Sequence, residues 1–337
     1  MSDYTKTAEK TGISLNCEGW RLSVAPMMDW TDRHCRYFHR LLSPHALLYT
    51  EMVTSAALVR GKQVRLLEHS QQEHPVALQL GGSDPHELAE AARLGAQAGY
   101  DEINLNVGCP SDRVQSGRFG ACLMREPALV GDCVKAMRDV VAVPVTVKCR
   151  IGVDDQDEYA DLQHFTETML AAGVEVLTVH ARKAWLQGLS PKENREIPPL
   201  DYQRVYRLKR EFPQLIVVIN GGITAVDAVR EHLKHVDGVM LGRAAYHDPY
   251  VLARVEAALY DVPMPSRESV LQHLRPYIEA ELARGTALKH ISRHLLGLYQ
   301  GEPGARGFRR ALSEGAHLPD AGWALIEQAI APVKAAA

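Results

Sequence analysis

The sequence feature that most constrains the fold is a repeated alternation between short apolar, β-branched runs and amphipathic segments. The runs of strand length lie at residues 21–27, 46–52, 75–81, 102–107, 144–150, 176–182, 215–220 and 238–242. The amphipathic segments, at 85–98, 127–141, 158–172 and 225–232 among others, can each return the chain for a parallel neighbouring strand. Eight such units in roughly 250 residues predict an α/β chain with a (β/α)8 TIM barrel. A doubly wound sheet is the alternative, but the sequence has no GxGxxG after its first strand.

The composition of the chain changes after residue 260. Val262-Pro-Met-Pro265 has the character of a linker, and no β-branched run of strand length follows it. Helices are predicted at 266–284, 288–299, 305–313 and 319–331, with Gly- and Pro-containing breaks between them. We therefore predict an N-terminal extension (1–20), a catalytic barrel (21–260) and a small all-helical domain (261–337).

Composition and charge exclude several protein classes. Charged residues make up 23% of the 337 residues and hydrophobic residues 46%, values typical of globular chains and not of disordered, collagen-like or coiled-coil proteins. No run approaches the roughly 18 apolar residues of a membrane span, and the first residues, MSDYTKTAEKTG, lack the apolar core of a signal peptide. The six cysteines contain no CxxC pair. We expect a cytoplasmic protein without a membrane association, a disulfide framework or a metal site.

Polar and flexible residues follow most of the predicted strands. In a (β/α)8 barrel the carboxyl ends of the strands carry the chemistry. The residues at these ends are Pro26, Met27, Met28, Gln79, Asn104, Asn106, Lys148, Arg150, His180, Arg182, Asn220, Gly221, Gly222, Gly242 and Arg243. The glycines after strands seven and eight would let the backbone approach an anion closely, and Thr224 with Asp227 predicts a capping box at the helix start between them. Together with Gln79, Lys148 and His180, this pattern predicts a phosphorylated heteroaromatic cofactor across the barrel mouth, although Lys148 alone could equally be a Schiff-base nucleophile.

Cys109 is the strongest candidate for acid–base or nucleophilic chemistry. It follows the fourth predicted strand, between Gly108 and Pro110, in a loop whose conformation both neighbours restrict. An ordinary thiol is mostly protonated at neutral pH, so it can donate a proton, and it becomes a nucleophile where its pKa is lowered. Asn104 and Asn106 share one face of the preceding strand, and either could orient a carbonyl or amide of a ring. The other five cysteines are predicted to be packing residues.

The motifs at the strand ends resemble those of the FMN-dependent tRNA-dihydrouridine synthase family, and most closely its bacterial A-type branch. The resemblance covers residues 22–313, nearly the whole chain, and its most specific motifs are NLNVGCPS and KCRIG. The other matching stretches are VAPMMDWTDRHCRYFHR, YTEMV, QLGGSDP, VHARKAWLQGLSPKENR, VINGGI, MLGRAAYHDP and GLYQGEPGARGFRRALS.

The resemblance implies a two-step reduction with two cofactors. NADPH reduces bound FMN, the reduced flavin gives hydride to C6 of a uracil in tRNA, and a cysteine, here Cys109, protonates C5. The residues implied to hold FMN are Pro26, Met27, Met28, Gln79, Lys148, His180, Asn220, Gly221, Gly222, Gly242 and Arg243. The A-type branch implies uridines 20 and 20a of the tRNA D-loop as targets, and no obligate protein partner.

The substrate that the resemblance implies requires contacts outside the barrel mouth. A stacked base must be extracted to react, and phosphate contacts must offset that cost. The overall net charge is −3, but residues 266–310 hold eight basic and four acidic residues, a local charge of +4. We expect the uracil and the rest of the tRNA to be contacted by Asn104, Asn106, Arg182, Lys183, Lys192, Arg306 and Arg309.

Three other functions are compatible with parts of the pattern. An FMN barrel acting on a small pyrimidine such as dihydroorotate would not need the basic helical tail. A Schiff-base aldolase would use Lys148 and contain no flavin. A non-catalytic tRNA-binding protein would tolerate the change Cys109→Ala.

Overall fold

The structure, a computed structural model, describes residues 17–334, and a closed barrel of eight parallel strands forms its centre. The barrel strands are β1 (Leu22–Val24), β2 (Leu47–Tyr49), β4 (Val76–Gly81), β5 (Glu102–Asn106), β6 (Val145–Arg150), β7 (Val176–His180), β8 (Ile216–Asn220) and β9 (Gly238–Leu241). The short β3 (Val53–Thr54) pairs with the end of β4 outside the ring. Closure comes from two pairings, β1 with β9 and β2 with β4. The predicted barrel is confirmed, and the doubly wound alternative is wrong because a closed sheet has no edge strand.

Side chains alternate between the two faces of every barrel strand. On β5, Ile103 and Leu105 belong to the core between strands and helices, whereas Glu102, Asn104 and Asn106 face the barrel interior. Aliphatic residues such as Leu47 fill part of the interior. The interior residues nearest the carboxyl ends are polar instead: Gln79, Asn106, Lys148, His180 and Asn220. The barrel is therefore a packed core with a polar top layer.

Several strands are shorter than their apolar runs. The backbone N–H of Ala25 still donates to Leu241 at 2.8 Å, but Pro26 has no N–H with which to continue the ladder, so β1 ends early. Strand β7 ends at His180, and Arg182 therefore lies beyond the sheet.

Helices cover the outside of the barrel. Their bounds are α1 Arg33–Leu42, α2 Ser55–Val59, α3 Pro85–Ala98, α4 Asp112–Ser116, α5 Pro127–Arg138, α6 Tyr159–Ala171, α7 Tyr202–Glu211, α8 Val226–His232, α9 Arg243–His247 and α10 Tyr250–Tyr260. Helix α3 has the predicted bounds, because Asp84 caps its first turn and Gly99, with φ +99°, ends it. The predicted capping box of Thr224 and Asp227 is wrong, because α8 begins only after Ala225 and has no side-chain cap.

Four further helices follow the barrel: α11 Arg267–Ala283, α12 Lys289–Ser292, α13 Ala305–Gly315 and α14 Trp323–Lys334. The predicted helix at 288–299 is wrong beyond Ser292, where the chain continues in tight turns. The backbone hydrogen bonds there join residues three apart, as from the N–H of Leu298 to the carbonyl oxygen of Leu295. Gly297 packs against the end of α9, where an added Cβ would lie 2.4 Å from the carbonyl oxygen of His247. Helix α14 begins four residues later than predicted, after the turn at 319–322.

Charged and aromatic contacts join α1 of the barrel to the C-terminal helices. Asp32 pairs with Arg293 at 2.5 Å and with His294 at 3.0 Å, and Arg33 donates to Glu281. Burial raises the pKa of Glu281, but the hydrogen bonds from Arg33 and Thr286 and the positive charge of Arg33 together lower that pKa to about 2. The hydrophobic core continues from the barrel into α11 and α13. The boundaries at residues 20 and 260 stay predictions, and residues 1–16 of the predicted extension lie outside the described part.

None of the helices between residues 17 and 334 is both long and apolar enough to cross a membrane.

Candidate active site

A cavity of about 450 Å³ opens at the carboxyl ends of the barrel strands. All eleven residues predicted to hold the cofactor line it: Pro26, Met27, Met28, Gln79, Lys148, His180, Asn220, Gly221, Gly222, Gly242 and Arg243. Asn106 and Cys109 lie on the same wall. The cavity volume is within the range of roughly 300–1,000 Å³ found for small-molecule and cofactor sites.

The loop that carries Cys109 is held from both sides. The side-chain oxygen of Asn106 accepts the backbone N–H groups of Gly108 at 3.1 Å and Cys109 at 3.0 Å. On the other side, the buried guanidinium of Arg150 donates to the carbonyl oxygen of Gly108 at 2.9 Å and to that of Asn194 in the loop after β7. The thiol itself is half-buried, and its Sγ lies 3.5 Å from the hydroxyl of Ser111. Cys109 therefore has a defined position on the cavity wall.

Positive charge accumulates on this wall, and three of its cations have no carboxylate partner in the described part of the chain. Burial, together with the neighbouring Arg150, lowers the pKa of Lys148 to about 8, and burial lowers the pKa of Arg150 to about 10. Burial and the same two cations hold the pKa of His180 well below its usual range, so its ring is neutral. Within residues 17–334, no carboxylate pairs with Lys148, Arg150 or Arg195, whereas Arg243 pairs with Glu196. Such a wall favours an anionic ligand.

The glycines after β8 have backbone conformations that other residues adopt at a cost. Gly221 has φ +117° and Gly222 φ +70°. A Cβ on Gly221 would lie 2.6 Å from the His180 ring, and one on Gly222 would lie 2.6 Å from Leu200. Gly242 differs, because the nearest atom to an added Cβ is Asn220 Nδ2 at 4.0 Å. The backbone of Gly242 therefore borders open space in the cavity, where a phosphate could lie close to it.

Two residues expected at the uracil do not reach the cavity wall. Asn104 is fully buried one layer deeper, because residues two apart on a strand are roughly 6–7 Å apart along it. Within the barrel, its side-chain amide accepts a hydrogen bond from Gln79 and donates one to Thr146. Arg182 donates to the carbonyl oxygens of Glu196 and Pro198 and so braces the loop after β7.

The four cations expected at tRNA phosphates lie outside the cavity. Lys183 pairs with Asp157 at 2.7 Å, and its Nζ lies 4.2 Å from the ring centroid of Trp185. Lys192 is exposed, directly after the wall residue Pro191. Arg306 and Arg309 are exposed on α13, opposite the face that buries Phe308 and Leu312.

Sequence reasoning missed part of the wall. Trp30 lines the cavity and stacks on Tyr246 with 4.4 Å between ring centroids. Asp29 and Met52 are also on the wall, although neither lies on a strand. Arg150 was noted at a strand end without a role, yet its spacing of two from Lys148 could have placed it on the same face.

Comparisons with known proteins agree with this geometry and with the resemblance inferred from the motifs. Residues 23–334 match the family described as dihydrouridine synthase (Dus). The chain is 64% identical over 309 residues to a protein of Xanthomonas campestris pv. campestris, 92% of each chain being covered. It is 62% identical over 316 residues to a Yersinia pestis protein (93% of this chain, 91% of the relative) and 60% identical over 316 residues to one of Vibrio cholerae (93% and 96%). All three relatives are named tRNA-dihydrouridine(20/20a) synthase. The chain therefore belongs to the dihydrouridine synthase family.

Proposed function

We propose that this protein is a flavin-dependent tRNA-dihydrouridine synthase that reduces the C5=C6 bond of uridines in the tRNA D-loop. The observation that carries the proposal is the position of Cys109 on the wall of a cavity where Lys148, Arg150 and Arg195 have no carboxylate partner among the described residues. Family membership and the name shared by the relatives support uridines 20 and 20a as the targets.

The cavity wall fits a phosphorylated flavin, and we propose FMN with NADPH as the source of reducing equivalents. The backbone at Gly221, Gly222 and Gly242, with Arg243 beside it, would hold the phosphate. Lys148 would stabilise negative charge on the ring system, since an anion offsets the burial that lowers its pKa. Pro26, Met27, Met28, Gln79, His180 and Asn220 would form the rest of the binding surface.

Reduction of a uracil C5=C6 bond requires a hydride at C6 and a proton at C5. The bound flavin supplies the hydride. Cys109 holds the proton on Sγ and transfers it to C5, after which the thiolate left behind lies on an electropositive wall that includes Lys148 and Arg195. Asn106, which lines the same cavity, would bind the uracil edge.

We propose that basic residues outside the cavity bind the rest of the tRNA. Lys183 and Lys192 flank the cavity on the loop after β7, and Arg306 and Arg309 lie on α13. Contacts to phosphates would offset the cost of removing the target base from its stack, a few kcal/mol. Trp185, 40% exposed beside Lys183, adds an aromatic surface of the kind on which bases stack.

The alternatives are less consistent with these findings. The lowered pKa of Lys148 would also suit a Schiff-base lysine. However, residues 23–334 match the dihydrouridine synthase family, and the relatives are named for dihydrouridine synthesis and not for an aldolase reaction. The match extends through all of α11 to α14, which an enzyme for a small pyrimidine would not need.

The proposal is tested by incubating the purified protein with NADPH and unmodified tRNA made by transcription. Digestion and mass spectrometry would quantify dihydrouridine, and parallel reactions would use tRNA with cytidine at positions 20 and 20a. We expect dihydrouridine in the first tRNA and none in the second. A flavin-containing preparation that oxidises NADPH and yet forms no dihydrouridine on any tRNA contradicts the proposal.

A further inference from the structure

A continuous chain of hydrogen bonds runs through the barrel interior to the Cys109 loop. It starts at Glu102, at the amino end of β5, which accepts the Thr146 hydroxyl at 2.5 Å. Asn104 donates to Thr146, Gln79 donates to Asn104, and Asn106 donates to Gln79, each at 2.8 Å. Asn106 then accepts the backbone N–H of Cys109 at 3.0 Å. The family chemistry does not require Glu102, which is fully buried.

Every donor in this chain points towards Glu102, and neither end allows the direction to be reversed. At the far end, the backbone N–H groups of Gly108 and Cys109 can only donate, so the oxygen of the Asn106 amide must face them. At the near end, the Thr146 hydroxyl gives its single hydrogen to Glu102 and therefore accepts from Asn104. The orientations of the three amides between the two ends are therefore fixed.

The surroundings of Glu102 supply donors in place of a cation. Besides Thr146, the Trp20 indole N–H donates to it at 2.6 Å and the Tyr49 hydroxyl donates at 2.6 Å. Among residues 17–334 no cation forms an ion pair with it, and burial raises its pKa although the three hydrogen bonds oppose that shift. A buried carboxylate with three donors on its two oxygens strengthens the polarity of the attached chain.

We propose that Glu102 is a positioning residue that orients the Gln79 and Asn106 amides and, through Asn106, fixes the Cys109 loop for proton transfer. Each amide then keeps one N–H that the chain does not use, available to a ligand in the cavity. Reversal of the chain would turn the Asn106 NH2 group towards the N–H of Cys109, where two donors face each other. The inference rests on the proposed function, because it assumes that the Cys109 thiol held by these hydrogen bonds transfers a proton to the substrate.

The test interrupts the chain of hydrogen bonds at Thr146, because substitutions there can remove the hydroxyl with little change in the side-chain volume. Thr146→Val removes the hydroxyl and nearly keeps the volume, Thr146→Ser restores it, and Glu102→Gln removes the carboxylate. Ser23→Ala is the matched control, since the Ser23 hydroxyl is also buried and has no hydrogen-bond partner. The readouts are kcat and the KM for tRNA in the dihydrouridine assay, and the rate at which iodoacetamide alkylates Cys109 in each folded variant, located by peptide mass spectrometry.

We expect Thr146→Val and Glu102→Gln to lower kcat at least tenfold with the tRNA KM within twofold, and to raise the alkylation rate at least threefold because the loop is less restrained. Thr146→Ser and Ser23→Ala should match the unmodified protein in both readouts. The inference is overturned if Glu102→Gln or Thr146→Val leaves kcat and alkylation unchanged, if Thr146→Ser fails to restore them, or if Ser23→Ala causes the same losses. If even the unmodified protein forms no dihydrouridine, the proposed function fails, while the alkylation rates still decide whether the chain restrains Cys109.

Discussion

The barrel mouth and the C-terminal helices are both rich in basic residues, but the two regions differ in how many of these residues pair with carboxylates. In the C-terminal segment, four of the eight basic residues pair with carboxylates: Arg267 with Glu302, Arg275 with Glu279, Arg284 with Glu281 and Arg293 with Asp32. In the mouth, Lys148, Arg150 and Arg195 have no carboxylate partner within residues 17–334.

This difference shows that a local net charge does not identify a binding surface by itself. Half of the basic residues behind the +4 of residues 266–310 are already paired, two of them with carboxylates of α11 and one, Arg293, with Asp32 at the start of α1. The three arginines of α13, at 306, 309 and 310, stay exposed, and none of them pairs with a carboxylate of the described residues. We therefore expect changes in the mouth to affect flavin binding and kcat, and changes on α13 to affect tRNA binding and its salt dependence.

The largest expected effect is that of Cys109→Ala. Loss of a general acid lowers a rate by roughly 10²–10⁴-fold, so kcat for dihydrouridine formation should fall within that range. The tRNA KM and the flavin content should stay close to those of the unmodified protein. Cys122→Ala is the matched control, because the Cys122 thiol donates to the carbonyl oxygen of Phe119 and is not on the cavity wall. Equal activity of the two variants would remove the assigned role of Cys109.

The second prediction concerns the unpaired cation at the centre of the mouth. Lys148→Met removes the charge while it keeps most of the side-chain volume, and we expect the affinity for FMN to fall at least tenfold. Titration of flavin fluorescence with apoprotein measures this affinity. Lys135→Met, on the exposed side of α5, should leave it unchanged. If Lys148→Met binds FMN as tightly as the unmodified protein, the mouth does not use its cations to hold the cofactor.

A pH dependence follows from the same lysine. Its pKa in the free protein is lowered to about 8, and an anionic ligand raises it, so the bound state holds more protons than the free state above that pH. FMN affinity should therefore be nearly constant below pH 8 in the range where the phosphate stays ionised, and decrease as the pH rises above 8. Fluorescence titrations between pH 7 and 9.5 measure it, and Lys148→Met should abolish the decrease. An affinity that rises with pH would contradict this assignment.

The sequence predicts the course of the backbone better than the positions of individual side chains. The regular alternation of strands and helices predicts the barrel and the residues at its strand ends, and the family resemblance selects the eleven wall residues among them. Trp30 and Met52 lie in loops, where no period indicates which way a side chain points. The helix predicted at 288–299 ends at Ser292, and beyond it the backbone of Gly297 packs against His247 of α9. Such contacts between residues far apart in the chain leave no local pattern.

Asn104 illustrates the same limit within a correctly predicted strand. The two-residue period places Asn104 and Asn106 on one face, but it does not reveal which of them lies at the surface of the cavity. Ion pairing is equally hidden, because Arg293 and its partner Asp32 are 261 residues apart. The charge count of the C-terminal segment therefore overstated the positive surface that remains for a ligand.

The smallest expected effect tests the other side of the comparison, the exposed arginines of α13. The double change Arg306→Ala and Arg309→Ala removes two exposed charges; the only side-chain hydrogen bond that it breaks within the described residues is from Arg309 to Gln300. Each phosphate contact contributes roughly 0.7–0.9 to the slope of log affinity against log salt concentration, so the slope should become shallower by up to about 2. We expect a tRNA KM several-fold higher at moderate salt, with kcat and flavin content unchanged.

Arg93→Ala, whose guanidinium pairs with Glu90 on α3, is the control for loss of a surface arginine. A salt slope identical to that of the unmodified protein would mean that tRNA does not contact these residues, and the basic loop after β7, with Lys183 and Lys192, would then be the remaining candidate surface.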